Sequence, residues 1–205
     1  VMRRAGSCMA SLPDYAELHC LSNFSFLRGA SHPEELAAQA CAQGYAALAL
    51  TDECSLAGVV RAHLAAKEHG LKLIVGSEIR LADGFRLVFL ACNRHGYGNL
   101  SALITLARRR AEKGAYLLHR LDLEAISPSG AVPDCLVLWV PEAAPSVEDG
   151  HWLASRFPGR AWIAVELHAG PDDAARLETL QALGAACGLP LVASGDVHMH
   201  VRSRR

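Results

Sequence analysis

Leu191-Val192-Ala193-Ser194-Gly195-Asp196-Val197-His198-Met199-His200 reads as a short apolar strand that runs straight into residues able to bind a metal ion or move a proton. Asp-x-His puts two side chains on one side of an extended segment, within reach of a single cation. The same pattern recurs upstream. Ala16-Glu17-Leu18-His19, Ala47-Leu48-Ala49-Leu50-Thr51-Asp52-Glu53, Leu73-Ile74-Val75-Gly76-Ser77-Glu78 and Ile163-Ala164-Val165-Glu166-Leu167-His168 are apolar runs ending in His, Asp or Glu. In an α/β barrel the loops after the strands share one face, where residues distant in sequence converge. Imidazole together with carboxylate suits Zn²⁺, Mn²⁺ or iron, ions that generate hydroxide near neutral pH and clamp phosphate.

Working outward, the spacing predicts strands over 15–19, 46–50, 72–75, 86–91, 135–140, 161–167 and 191–193. Helices fall between them. Ser31-His32-Pro33-Glu34 predicts a capped start with proline in the first turn, and Gly44 ends that helix after Gln43. Ser55–His69 carries Leu56, Val59, Val60 and Leu64 at helical spacing and stops at Gly70. Further helices are predicted over 99–113, 146–156 and 171–187. This β-α alternation implies a mostly parallel sheet covered by helices, as either an open doubly wound sheet or a barrel. No dinucleotide fingerprint follows the first strand and no P-loop motif occurs, so those two readings are weak.

The 205 residues, 51% of them hydrophobic, hold enough apolar surface for one sizeable core and exclude a disordered polar chain. No apolar stretch approaches the ~18 residues of a membrane span. A formal net charge of −1 gives no global field for nucleic acid. Seven scattered cysteines without a C-x-x-C pair argue against a disulfide framework or a cysteine zinc site, and for reduced thiols in the cytoplasm. Residues 1–14 read as a loose leader without a signal-peptide core, 15–200 as one domain, and 201–205 as the start of a connection to further chain. Glu166 and His168 precede Gly170-Pro171 and are expected on a surface turn. Asp52 is expected either at a helix entry or in the site. His63, His69, His95 and His151 have no identifiable partner, and Arg108-Arg109-Arg110 at a helix end is expected to be solvated.

Several strings resemble one family. Tyr15 to Ser31, Ala49 to Val60, Leu73 to Glu78, Gly96-Tyr97-Gly98-Asn99-Leu100 and Leu189 to His200 are similar, in order, to the motifs of the PHP (polymerase and histidinol phosphatase) domain. The closest likeness is to the N-terminal PHP domain of error-prone C-family DNA polymerases, relatives of the polymerase III alpha subunit. The resemblance implies a distorted seven-stranded (β/α) barrel with a ring of His, Asp and Glu at its mouth. By matching position, His19, Glu78, Asp196 and His198 are candidate metal ligands, with Glu53 standing where metal-binding members have histidine. Other positions depart from the pattern. Leu21 replaces the second histidine of His-x-His, which also argues against a free-standing histidinol-phosphatase-like enzyme. Arg28 replaces an acidic residue, His119 falls one residue from the expected central ligand, and the late ligand falls on Pro141 or Glu142. A three-metal cluster is therefore not expected, and the site is read as vestigial or partial, holding Zn or Mn or no metal.

The resemblance implies a scaffolding segment of a DNA-directed DNA polymerase active in damage-tolerant synthesis, with polymerase catalysis and its Mg outside this chain. The implied partners are the remainder of the polymerase chain and, through the full-length protein, DNA; no membrane is implied. The alternative is an active metal-dependent phosphoesterase or 3′–5′ proofreading nuclease using His19, Glu53, Glu78, Asp196 and His198.

Overall fold

The computed structural model describes residues 14–125 and 131–204. The expected leader, apart from Asp14, lies outside the described residues, as does Arg205. The strands are β1 (Ala16–Glu17), β2 (Ala47–Leu50), β3 (Lys72–Arg80), β4 (Arg86–Ala91), β5 (Cys135–Trp139), β6 (Ala161–Val165) and β7 (Leu191–Ala193). They form one sheet in strict sequence order. The helices are α1 (Pro33–Ala42), α2 (Val59–His69), α3 (Arg94–Arg109), α4 (Asp122–Ala125), α5 (Val147–Arg156) and α6 (Asp173–Cys187), followed by a 3-10 turn at Arg202–Arg204. No helix among the described residues is long and apolar enough to cross a membrane.

The sheet curls until its two edges meet. Cys20 and Val197, just beyond β1 and β7, form a parallel bridge. The Leu21 N–H donates to the Val197 carbonyl at 2.8 Å, and the Val197 N–H to the His19 carbonyl at 2.9 Å. The result is the expected distorted seven-stranded barrel, closed at the mouth by one bridge.

The sheet is mostly parallel, as expected, and departs from this at β4, which runs antiparallel to both β3 and β5. The cause is local. Only Leu81 to Phe85 separates β3 from β4, too short for the helical crossover that a parallel connection needs. Gly84 takes φ +90, and the Asp83 carboxylate accepts the Phe85 N–H, so a tight reversal forms. As a consequence Arg86, the first residue of β4, stands at the barrel mouth.

Side chains alternate between the two faces of each strand. Leu87 and Phe89 face the large outer core with Leu100, Leu103, Leu153 and Leu180 of the covering helices. Leu48 and Leu50 meet Leu36, Ala62 and Ala65 of α1 and α2. Ala49, Val88, Leu90, Leu138 and Ala164 point the other way and fill the lumen, with Leu18, Ile74, Trp162 and Val192 below. The mouth lies above this apolar interior.

The helices fall where expected, with corrections: α2 begins at Val59 rather than Ser55, and α3 ends at Arg109 rather than Lys113. Ser31 does not cap α1. His32 takes the cap position and donates its N–H to Glu35 at 2.8 Å, while the Ser31 hydroxyl binds His200 Nδ1 at 2.7 Å. α3 starts at Arg94 rather than Asn99, because the Asn93 side chain accepts the His95 and Gly96 N–H groups. On α2 the buried residues are Ala62, Ala65 and Ala66, whereas Val60 and Leu64 are 68% and 63% exposed.

Candidate metal centre

His19 sits fully buried at the end of β1, held from behind by Glu17. The Glu17 carboxylate accepts the N–H groups of His19 and Gly195, each at 2.9 Å, and so ties the two ends of the sheet together. A β-carbon at residue 195 would collide with that carboxylate, so the contact requires glycine. The His19 ring then faces two acids. Nδ1 lies 2.7 Å from Glu166 Oε1 and Nε2 lies 2.8 Å from Glu78 Oε2. Burial opposes the imidazolium, but the hydrogen bonds to Glu166 and Glu78 outweigh it and raise the His19 pKa to about 9. Asp196 Oδ1 is 3.5 Å from His19 Nδ1 and 2.9 Å from His198 Nε2. Burial pushes the Asp196 carboxyl up, and His198, His19 and Arg86 together bring it well below the usual range. The ligand atoms of His19, Glu166 and Asp196 all lie within 4.8 Å of one another.

The other side of the mouth is built on an arginine. Arg28 Nη2 donates to Glu78 Oε2 at 3.1 Å while Nη1 contacts Glu78 Oε1, a two-pronged grip on one carboxylate. The same Nη1 donates to Glu53 Oε2 at 2.8 Å. Glu53 Oε1 accepts the Tyr116 hydroxyl at 2.7 Å. Arg108 donates to the Glu53 and Cys54 carbonyls, at 3.3 and 3.2 Å, and lies over the Tyr116 ring. The expectation that Arg108 is solvated is thus corrected: it fastens the loop that carries Glu53. Burial favours the neutral Glu78, but contacts with His19 and Arg28 bring its pKa down to about 2.

The Arg28 loop is fixed by Asp52. Its carboxylate accepts the Ser22 N–H, the Ser22 hydroxyl and the Ser25 hydroxyl, each at 2.7 Å. Asp52 is therefore a loop anchor, neither a free ligand nor a helix entry. Gly29 turns against the Ser22 carbonyl, where a β-carbon could not fit.

Of the candidate ligands, the structure brings His19, Glu78, Asp196 and His198 together, with Glu53 reached through Arg28. Two expected positions do not converge. His119 is exposed, and its N–H donates to Asp122 at the start of α4. Glu142 is exposed beside Arg80, and the Pro141 carbonyl accepts from Arg176. Glu166 corrects the surface-turn expectation. It continues the inward-facing series Trp162, Ala164 of β6 and is buried, while His168 is exposed. Arg86 is the other residue missed. Its guanidinium lies 3.9, 3.7 and 4.0 Å from Glu78, Glu166 and Asp196. Continuing the two-residue alternation would have placed Glu166; Arg86 needed the β4 reversal. His63, His69, His95 and His151 are all exposed.

The donor set fits a metal on one side only. His19, Glu166 and Asp196 offer nitrogen and carboxylate oxygen in one cluster, with His198 hydrogen-bonded to Asp196; this is the chemistry that Zn²⁺ or Mn²⁺ takes, and binding there would displace the proton shared by His19. Glu53 and Glu78 are neutralised by a guanidinium that does not deprotonate. They do not fit a second ion while Arg28 stays in place.

The family model for the PHP domain matches residues 17–131. The chain is 82% identical, over 95% of its length, to an error-prone DNA polymerase of Dechloromonas aromatica, and 60% identical, over 94%, to one of Azoarcus sp.. It spans 19% and 20% of those proteins. Its fold is similar to that of a lesion-specific endonuclease from Pyrococcus furiosus, with a TM-score of 0.58 at 13% identity, covering 90% of this chain and 48% of that one. The ordered motifs, the curled seven-stranded sheet and these matches together make this chain a member of the PHP domain family.

Proposed function

We propose that this chain is the PHP domain of an error-prone, translesion-type DNA polymerase, with residues 15–200 as the domain, and that its own role is to scaffold rather than to hydrolyse. The observation that carries the scaffolding role is Arg28, whose guanidinium bridges Glu53 and Glu78 where a divalent cation would otherwise neutralise them. The likeness to error-prone polymerases over nearly the whole chain supports the parentage. On this reading nucleotidyl transfer, its Mg and the main DNA contacts belong to the remainder of the polymerase, which this domain packs against. The six described cysteines are free thiols, in keeping with a reducing cytoplasm.

The cluster of His19, Glu166, Asp196 and His198 favours a second reading, in which one Zn or Mn ion is retained there and supports phosphodiester hydrolysis. Metal analysis of the purified chain, followed by incubation with a 3′-labelled oligonucleotide and Mn²⁺ or Zn²⁺, separates the two. The scaffold reading expects at most one bound equivalent and no metal-dependent cleavage. Cleavage abolished by His19→Ala would overturn it. The parentage is tested by expressing the complete gene and assaying primer extension; an inactive full-length product refutes it.

A further inference from the structure

The loop that carries Arg28 also carries the most exposed large apolar side chains among the described residues, Phe26 at 85% and Leu27 at 90%. Leaving two adjacent residues of this size in water forgoes the stabilisation that burial would supply. The loop holds them out firmly. Asp52 pins Ser22 and Ser25, the Arg28 and Gly29 N–H groups both donate to the Ser25 carbonyl, and the Ala30 N–H donates to the His198 carbonyl. Leu27 is kept at φ 63, a left-handed conformation that is unfavourable for leucine and that asparagine or glycine adopts easily. An unfavourable backbone that keeps a leucine side chain pointing into water is the mark of a residue retained for a contact.

The apolar surface extends beyond the tip. The half-exposed Phe24 ring lies against Gly58 at the start of α2, close enough to crowd any side chain there. From these observations we infer that Phe26 and Leu27, with Phe24 beside them in the same loop, form the face by which this domain docks onto the polymerase body of the same chain. The inference rests on the parentage proposed above. About four-fifths of each relative's length lies outside the stretch this chain matches, so a tethered partner is at hand. Area favours a tethered partner as well. Three such side chains offer roughly 400 Å², short of the ~800 Å² per partner that stable association of separate molecules takes. A tether supplies millimolar effective concentration and makes the smaller area sufficient. Docking there also braces the loop from outside, holding Arg28 between Glu53 and Glu78.

The test compares hydrogen exchange of residues 22–29 in the complete gene product and in this 205-residue chain. Amides of this loop are expected to exchange at least tenfold more slowly in the complete protein. In the complete protein, Phe26→Ser with Leu27→Asn should remove that protection and lower the thermal midpoint, while in the 205-residue chain it should leave the midpoint unchanged or raise it, since asparagine relieves the backbone. Equal exchange in both proteins overturns the inference. So does protection of the 205-residue chain that rises with its concentration, which would assign the face to a second copy. A complete protein that fails to extend primers yet protects the loop refutes the polymerase parentage and leaves the docking face intact.

Discussion

The two halves of the barrel mouth solve one electrostatic problem in different ways. In the half built by His19, Glu166, Asp196 and His198, carboxylates gather around imidazoles and hold them through hydrogen bonds. In the half built by Glu53 and Glu78, the carboxylates gather around Arg28, a cation fixed by the chain itself. Arg86 lies between the halves, within 4.0 Å of acids from both. A family likeness in motif order can therefore persist while the chemistry of a site divides, because a barrel needs its mouth charges balanced and accepts more than one way of doing so. A buried carboxylate without a partner costs several kcal/mol whichever cation is missing.

The sharpest way to break this comparison is to remove the fixed cation. Arg28→Ala leaves Glu78 buried with His19 and, at 3.9 Å, Arg86 in place of its two-pronged grip, and is expected to cost about 3 kcal/mol of stability, read from the urea midpoint. A loss under about 1 kcal/mol, the worth of an exposed pair, would mean that Arg28 is not the cation of its half. Next in size, Arg28→Asp combined with Glu53→His should turn the arginine half into a ligand set. Zinc or manganese affinity is then expected to rise by about a hundredfold, or about 2.7 kcal/mol, in chelator competition, and an unchanged isotherm would show that the half lacks ligand geometry. Leu21 is best left alone in that design, since it is fully buried and a histidine there would test the core instead.

A smaller effect separates the halves directly. Glu166→Gln should weaken zinc binding by about tenfold, the scale of losing one oriented carboxylate, while Glu53→Gln should leave it unaltered. Equal losses would merge the two halves into one site. The mildest change is Tyr116→Phe, which removes the hydroxyl that donates to Glu53 at 2.7 Å. It should cost about 1 kcal/mol without affecting metal affinity, measured by thermal melts with and without zinc.

The barrel was legible because its grammar is local. Apolar runs of β2 and β4 to β7 match within a residue or two, and Gly44, Gly70 and Gly188 stand just past the ends of α1, α2 and α6. His19, Glu78, Asp196 and His198 were legible because they end apolar runs. What escaped depends on direction. Arg86 begins a run rather than ending one, and it reaches the mouth only because the five-residue turn before it reverses the strand. Glu166 was overruled by Gly170-Pro171 four residues on, although the alternation Trp162, Ala164 already aimed it inward. Val60 and Leu64 have a core residue's spacing but face outward, since α2 turns Ala62, Ala65 and Ala66 toward the core instead. Arg28 was recognised as out of place, but its partners depend on a loop held by Asp52, and no spacing rule supplies a three-dimensional reach.

The guanidinium between Glu53 and Glu78 has a consequence for the conditions under which the domain persists. A bound ion has an affinity, an exchange rate and a supply. Arg28 has none of these, because it is delivered in unit stoichiometry by translation itself. A chelator cannot strip it and a competing ion cannot replace it. That half of the mouth should therefore assemble identically in a zinc-starved cell and in a replete one, as soon as residues 22 to 29 fold onto Asp52.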